Sequence, residues 1–235
     1  MTVLTLGPLP YTRDNRVTAP GAGSGKIDSL QVDSSMSIQS TLSIAKRTLR
    51  LDDEVRFIRS WIEEPLAIGA VMPSGKPLAR AMAKCVDPET EGSVIELGPG
   101  TGAVTTALVE QGIEPSRLVL VEFNPTFCRL LRTRYPNATV VQGDAYSIKR
   151  LLASFLRQPA AAVVSGLPLF NKPLKLRVRL LADAFTLLAP NAPFVQFTYA
   201  IVPPIPRSYS GARAQASERI WLNIPPARVW VYRKA

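Results

Sequence analysis

Val94-Ile95-Glu96-Leu97-Gly98-Pro99-Gly100-Thr101-Gly102 carries a short apolar run straight into a turn with three glycines in five positions. An apolar run this short, bounded by glycine, reads as a buried strand rather than a helix. Glycine tolerates positive φ and lets the backbone approach a ligand with no side chain between them. Ala103–Gln111 has helical patterning. The turn therefore opens onto a helix N-terminus, whose unpaired N–H groups favour an electron-rich partner. Glu96 adds a carboxylate near the strand end.

Outward from this turn the apolar period keeps alternating. Strand-like runs at Ser93–Leu97, Arg117–Glu122, Thr139–Gln142, Ala161–Ser165 and Pro193–Tyr199 are interleaved with helical stretches. Those stretches are Pro77–Cys85, Ala103–Gln111, Pro125–Tyr135, Ile148–Leu156 and Leu174–Leu188, and a last apolar run covers Arg228–Tyr232. Strands alternating with helices imply βαβ units, hence an α/β fold with a mostly parallel sheet covered on both faces. Val202–Pro226, rich in Pro, Ser and Arg, reads as a long loop between the last two strands.

The turn lacks the third glycine of a dinucleotide-binding G-x-G-x-x-G and the G-K-[ST] of a P-loop. Its spelling, E-L-G-P-G-T-G, resembles that of S-adenosylmethionine-dependent methyltransferases. Twenty-two residues beyond Gly100 the next strand ends in Glu122, followed by Phe123. A carboxylate there is placed to take both ribose hydroxyls of an adenosyl group. Another twenty-two residues on, the third strand leads to Gly143-Asp144-Ala145. In the methyltransferases that acid and the neighbouring backbone N–H read the adenine edge. The resemblance implies a cofactor set of Glu96, Gly98, Gly100, Thr101, Gly102, Glu122, Phe123, Asp144, Ala145 and Ser165.

The fourth strand ends in Ser165-Gly166-Leu167-Pro168-Leu169-Phe170-Asn171. Ligands of open α/β sheets lie beyond the carboxyl ends of the strands, so this loop faces the methyl acceptor. The rRNA adenine dimethyltransferases look similar but use N-L-P-Y, where the Asn carbonyl takes an amino proton and the Tyr stacks on the base. Here Gly166 and Leu169 stand at those positions, which argues against adenine and against nucleic acid as partner.

With Phe57–Leu66, Gly69–Gly75, the glycine turn and Ser165–Leu169, the chain from about Leu42 onward resembles the bacterial phospholipid N-methyltransferases of the PmtA type. That resemblance implies a Rossmann-like class I methyltransferase fold with a seven-stranded sheet, preceded by an amphipathic helix. It also implies stepwise methylation of phosphatidylethanolamine towards phosphatidylcholine. Ser74 is implied near the cofactor's methionine end. An rRNA adenine N6-dimethyltransferase-like activity is the alternative reading.

Composition is consistent with this. The 235 residues include 28 basic and 18 acidic side chains, a net charge of +10, and no histidine. Imidazole chemistry is excluded, and Cys85 and Cys128 fit no zinc spacing, so no metal is expected. A basic chain favours phosphate-bearing partners. No apolar run is long enough to span a bilayer and no secretory signal is visible, so the expected address is cytoplasmic, peripheral to the inner membrane.

Residues 1–35 read as a disordered extension, residues 36–64 as amphipathic membrane-docking and covering helices, and residues 65–235 as the methyltransferase domain. Ile38, Leu42, Ala45 and Leu49 form one helical stripe, with Lys46, Arg47 and Arg50 off it. Such a helix lies in the interface plane. At about 1 kcal/mol per basic residue beside anionic lipid, three give roughly 3 kcal/mol. Arg207, Arg213, Arg219, Arg228, Arg233 and Lys234 supply further positive charge against Glu218 alone, with Trp221 and Trp230 as interfacial anchors.

A lipid ammonium must lose a proton before it attacks a methyl group. Tyr199, Tyr146 and Asn171 are the candidate proton acceptors or orienters. Gly166, Leu167, Pro168 and Phe170 are the candidate acceptor-binding residues, and Phe170 offers a cation–π face to the methylated headgroup.

Overall fold

The computed structural model describes residues 75–235. The extension, the amphipathic helices and Ser74 lie outside the described residues. In chain order the elements are α1 (Lys76–Ala83), β1 (Val94–Leu97), α2 (Ala103–Glu110), β2 (Leu118–Glu122) and α3 (Pro125–Arg134). They continue with β3 (Thr139–Gln142), α4 (Ile148–Leu152), β4 (Ala162–Ser165), α5 (Leu174–Leu187) and β5 (Phe194–Thr198). The chain ends with α6 (Arg207–Ser210), β6 (Ala212–Ala216) and β7 (Arg228–Lys234).

The strands form one seven-stranded sheet in the order β3-β2-β1-β4-β5-β7-β6. The first five are parallel, and β7 runs antiparallel to both β5 and β6. Every residue of β1, β2, β4 and β5 is buried, as parallel strands covered on both faces require. Alternation sorts their side chains into two cores. Val94, Leu118, Leu120 and Val195 pack with Leu78, Met82, Leu108 and Leu131 of α1, α2 and α3. Ile95, Leu97, Val121 and Phe194 pack with Ile148, Leu152, Leu180 and Leu181 of α4 and α5 on the other face.

Strand β1 pairs with both β2 and β4, so the chain leaves it in opposite directions. The crevice at the carboxyl ends of β1 and β4 is the switch point where open α/β sheets bind ligands. Gly98 and Gly166 both lie there.

Two expectations need correction. Val202–Pro226 is not simply a loop: it contains α6 and the edge strand β6. Ala212-Arg213-Ala214-Gln215-Ala216 has no β-branched residue, so its strand period is carried only by the small buried Ala212 and Ala214 alternating with exposed Arg213 and Gln215. The helix expected over Ile148–Leu156 stops at Leu152, preceded by a 3-10 turn at Ala145–Ser147.

Candidate active site

The glycine turn follows β1 with Gly98, Gly100 and Gly102 at φ of 67°, 56° and 84°. At Gly98 a Cβ would stand 2.7 Å from Leu167 Cδ2, so the two loops at the switch point interlock. At Gly100 nothing lies within 4 Å of a Cβ position, which leaves open space over the turn. Thr101 follows, and its carbonyl accepts from Arg134 Nη1 at 3.3 Å. Gly102 is the N-cap of α2.

Glu122 ends β2 and reaches across to this turn. Gly100 N–H donates to its Oε2 at 3.0 Å, and Asn124 N–H donates to its Oε1 at 2.8 Å. Each oxygen keeps a lone pair for a hydroxyl donor. Phe123, the next residue, is 75 % exposed. Asp144 caps the turn after β3: Tyr146 N–H donates to its Oδ1 at 3.0 Å, and Ala145 beside it is buried. An open backbone turn, a carboxylate with spare acceptor capacity and an exposed aromatic ring suit an adenosyl group.

Glu96 sits beneath the turn, not at a strand tip. Alternation along β1 points it to the α2 face, where Thr105 Oγ1–H donates to its Oε2 at 2.7 Å. Burial pushes its carboxyl up to about 8, and the nearby Glu122 charge adds to the effect, against the Thr105 hydrogen bonds.

Ser165, fully buried, ends β4. At Gly166 a Cβ would stand 2.8 Å from the Gly98 carbonyl oxygen, so no side chain fits there without the loops parting. Leu169 is buried in the core. An apolar recess of about 260 Å³ opens beside this loop, lined by residues 168–171 and 197–200. It joins Pro168, Phe170 and Asn171 to Tyr199, which directly follows β5. Arg177 lies over the Phe170 ring, 5.0 Å from its centroid, and the residue is partly exposed.

The candidate catalytic residues are divided. Tyr199 and Asn171 share the recess, while Tyr146 sits with Asp144, its ring 5.5 Å from Lys172 Nζ. Burial, helped by the Asp144 charge and opposed by Arg177, pushes Tyr146 up to about 12. Burial also raises Tyr199, opposed by a hydrogen bond from Asn223. Both shifts favour the protonated phenol at neutral pH.

Sequence reasoning missed Asn223, Thr105 and Gln196. Asn223 is buried; its Oδ1 accepts from Gly75 N–H at 3.1 Å and its Nδ2 donates to Pro225 O at 2.8 Å. Gln196 Nε2 donates to Leu167 O at 2.9 Å and holds the acceptor loop. A lone amide inside the apolar run Phe194–Thr198 was the available signal for Gln196. Asn223, within the Pro-rich stretch, offered none.

The C-terminal basic residues do not form one patch. Arg228 pairs with Thr198, at the carboxyl end of the parallel strands. Arg213 and Arg233 pair with each other near the opposite end. There Asn191, at φ 60°, accepts from Arg213 through Oδ1 at 2.9 Å and from Arg233 through its carbonyl at 3.1 Å. Trp221 is exposed, but Trp230 is half-buried and stacked on Tyr232 at 6.4 Å, so it is no interfacial anchor. Among the described residues no helix is long and apolar enough to cross a membrane, and no group of three potential metal ligands occurs.

The profile of the ribosomal RNA adenine dimethylase family matches residues 76–182. An ornithine lipid N-methyltransferase from Singulisphaera acidiphila is 32 % identical over 151 residues, covering 63 % of this chain and 79 % of that protein. A ribosomal RNA small subunit methyltransferase A from a Synechococcus species is 34 % identical over 92 residues, 38 % of this chain. The matched part spans only 30 % of that relative. Among solved structures, a TehB-like methyltransferase from Corynebacterium glutamicum gives a TM-score of 0.52. It covers 78 % of this chain and 99 % of that one at 16 % identity, a likeness of fold. By its sheet order, its glycine turn and the extent of its identity to the Singulisphaera protein, the chain belongs to that protein's family of S-adenosylmethionine-dependent methyltransferases, with a Rossmann-like class I fold.

Proposed function

We propose that the protein methylates the amine of a membrane aminolipid, with phosphatidylethanolamine, taken stepwise towards phosphatidylcholine, as the substrate. The observation that carries this reading is the acceptor recess. It is apolar, edged by Phe170 and Tyr199, and carries no carboxylate among the described residues that line it. Neither feature that clamps a planar base in the adenine dimethyltransferases is present: Gly166 excludes a side chain and Leu169 turns into the core. The relative named for ornithine lipid supports an aminolipid and makes that headgroup the nearest competitor. The dimethylase profile and the matching rRNA methyltransferases support a second reading, methylation of RNA.

In the proposed reaction S-adenosylmethionine supplies an electrophilic methyl group on a sulfonium, open to in-line displacement. The glycine turn Gly98–Gly102, with Thr101, holds the cofactor's chain against backbone. Glu122 takes the ribose hydroxyls on its spare lone pairs. Phe123 would cover the adenine, and Asp144 Oδ2 with the Ala145 N–H would read its edge. The resemblance to the methyltransferases assigns Ser165 and Ser74 to the methionine end, and Glu96 fixes the turn from beneath through Thr105. The headgroup ammonium gives up its proton to water before the neutral amine enters the recess, where Tyr199 orients it with Asn171 beside it, and Tyr146 supports Asp144. Leu167 packs on the glycine turn at Gly98, Pro168 excludes water from the recess, and the exposed ring of Phe170 stabilises the growing positive charge of the headgroup. Alignment and dryness are the protein's contribution.

The test is incubation with methyl-labelled cofactor and, separately, phosphatidylethanolamine vesicles, ornithine-lipid vesicles and rRNA. Label in the organic phase with phosphatidylethanolamine is expected. Label in ornithine lipid alone would change the headgroup, and label in RNA alone would overturn the lipid reading.

A further inference from the structure

The loop joining β6 to β7 carries Trp221, Leu222 and Ile224 at 73 %, 84 % and 81 % exposure. The loop after β5 carries Ile201 at 75 %, with Val202 also exposed. Large apolar side chains this exposed, on adjoining loops, mark an interaction surface. Both loops are held at their bases. Arg219 Nη2 donates to the Tyr199 carbonyl at 3.1 Å and to the Pro226 carbonyl at 3.3 Å, with its guanidinium 5.7 Å from the Trp221 ring centroid. Asn223, on the same loop, lies near enough to the Tyr199 phenol to oppose the effect of burial on its pKa. The apolar tips therefore project from anchored stems. Those stems meet at Tyr199, the residue that lines the acceptor recess.

We infer that these two loops form an insertion rim, which enters the headgroup and upper acyl region of an anionic phospholipid bilayer and seats the acceptor recess on its surface. This rests on the aminolipid reading above. Charge commits the rim to such a bilayer: Glu218 is the sole acid from residue 184 to the C-terminus, while basic side chains flank the recess. Arg219 and Arg228 stand at the recess end of the sheet. Lys172 and Lys175, both exposed, add positive charge on the far side of the recess. Basic residues around apolar tips, with a tryptophan among them, match the chemistry of the lipid–water interface. A headgroup then reaches Tyr199 while its acyl chains remain in the bilayer.

The test uses the full chain with Trp221, Leu222 and Ile224 all changed to Ser, and a second variant with Ile201→Ser and Val202→Ser. An unchanged thermal transition checks the fold. Partitioning is read on vesicles of phosphatidylethanolamine with phosphatidylglycerol. Methyl transfer is read on the same vesicles and on monomeric short-chain phosphatidylethanolamine. Each variant should partition at least tenfold less and lose vesicle methylation in proportion, with turnover on the monomeric lipid retained. Undiminished partitioning in both variants would overturn the rim. So would equal loss on both substrates, the outcome expected if residues 36–74 of this chain cover the patch instead. Partitioning decides the rim even if the wild-type protein labels no lipid, a result that would sink the aminolipid reading alone.

Discussion

Gly100 N–H and Glu122 Oε2 stand 3.0 Å apart, a hydrogen bond joining the turn after β1 to the tip of β2. The carboxylate that faces the cofactor thus also sets the turn on which the cofactor rests. Glu122→Gln keeps the size of the side chain but loses one acceptor oxygen. Calorimetry should show S-adenosylmethionine binding weakened at least 30-fold, with the circular dichroism spectrum unchanged. Glu122→Ala should abolish measurable binding and also lower stability by about 1–3 kcal/mol, since two partly buried N–H groups lose their partner. Wild-type affinity in either variant would refute the ribose role.

Gly166 is fixed by contact with the Gly98 carbonyl. Gly166→Asn should therefore not create an adenine methyltransferase. The side chain must push apart the loops that Gly98 and Leu167 interlock. Lower melting temperature and loss of lipid methylation are expected, without label in rRNA. A stable variant that labels RNA would contradict the steric account.

Glu96 makes stability depend on pH. Its folded carboxyl titrates at about 8, against the ordinary 4.5. The folded state therefore holds a proton that the unfolded chain releases. This contribution is full below about pH 4.5 and is lost as pH rises towards 8, with a slope of up to about 1.4 kcal/mol per pH unit. Glu96→Gln should flatten that slope. Urea denaturation of both proteins at pH 5, 6, 7 and 8 measures it, and parallel profiles would show that Glu96 is not the titrating group.

Tyr199 acts as an orienter in the proposed reaction. Tyr199→Phe should lower kcat about tenfold with KM nearly unchanged. Asn223→Ala should lower kcat in the same direction, and combining the two should add little. Because burial raises the Tyr199 phenol above its ordinary value of 10.0, Tyr199→Phe should leave the pH profile between 6 and 9 unshifted. A profile displaced by the substitution would instead make Tyr199 the proton acceptor.

The parallel half of the sheet was legible because its signals are local. Val94–Leu97 and Leu118–Glu122 are continuous apolar runs, and Gly98–Gly102 must bend where it does. Pairing information is not local. Ala212–Ala216 becomes a strand only because β7 offers it an edge, which its alanines do not announce. Glu96 shows the limit at single-residue level: its place near a strand end suggested a ligand, while the two-residue period turned it towards Thr105. Tyr199 and Asn171 line one recess across long sequence separation, and Asn223 comes near Tyr199 only through the fold.

Arg213 and Arg233, side by side near the end of the sheet away from the recess, have a consequence for approach. Positive charge sits at both poles of the domain. An anionic surface therefore attracts either pole, and long-range steering sets how often the protein arrives, not which way round it lands. Beyond a Debye length of about 8 Å at physiological salt that pull has faded in any case. Landing the right way up is decided at close quarters, so added salt should slow arrival while leaving the preferred attitude unchanged.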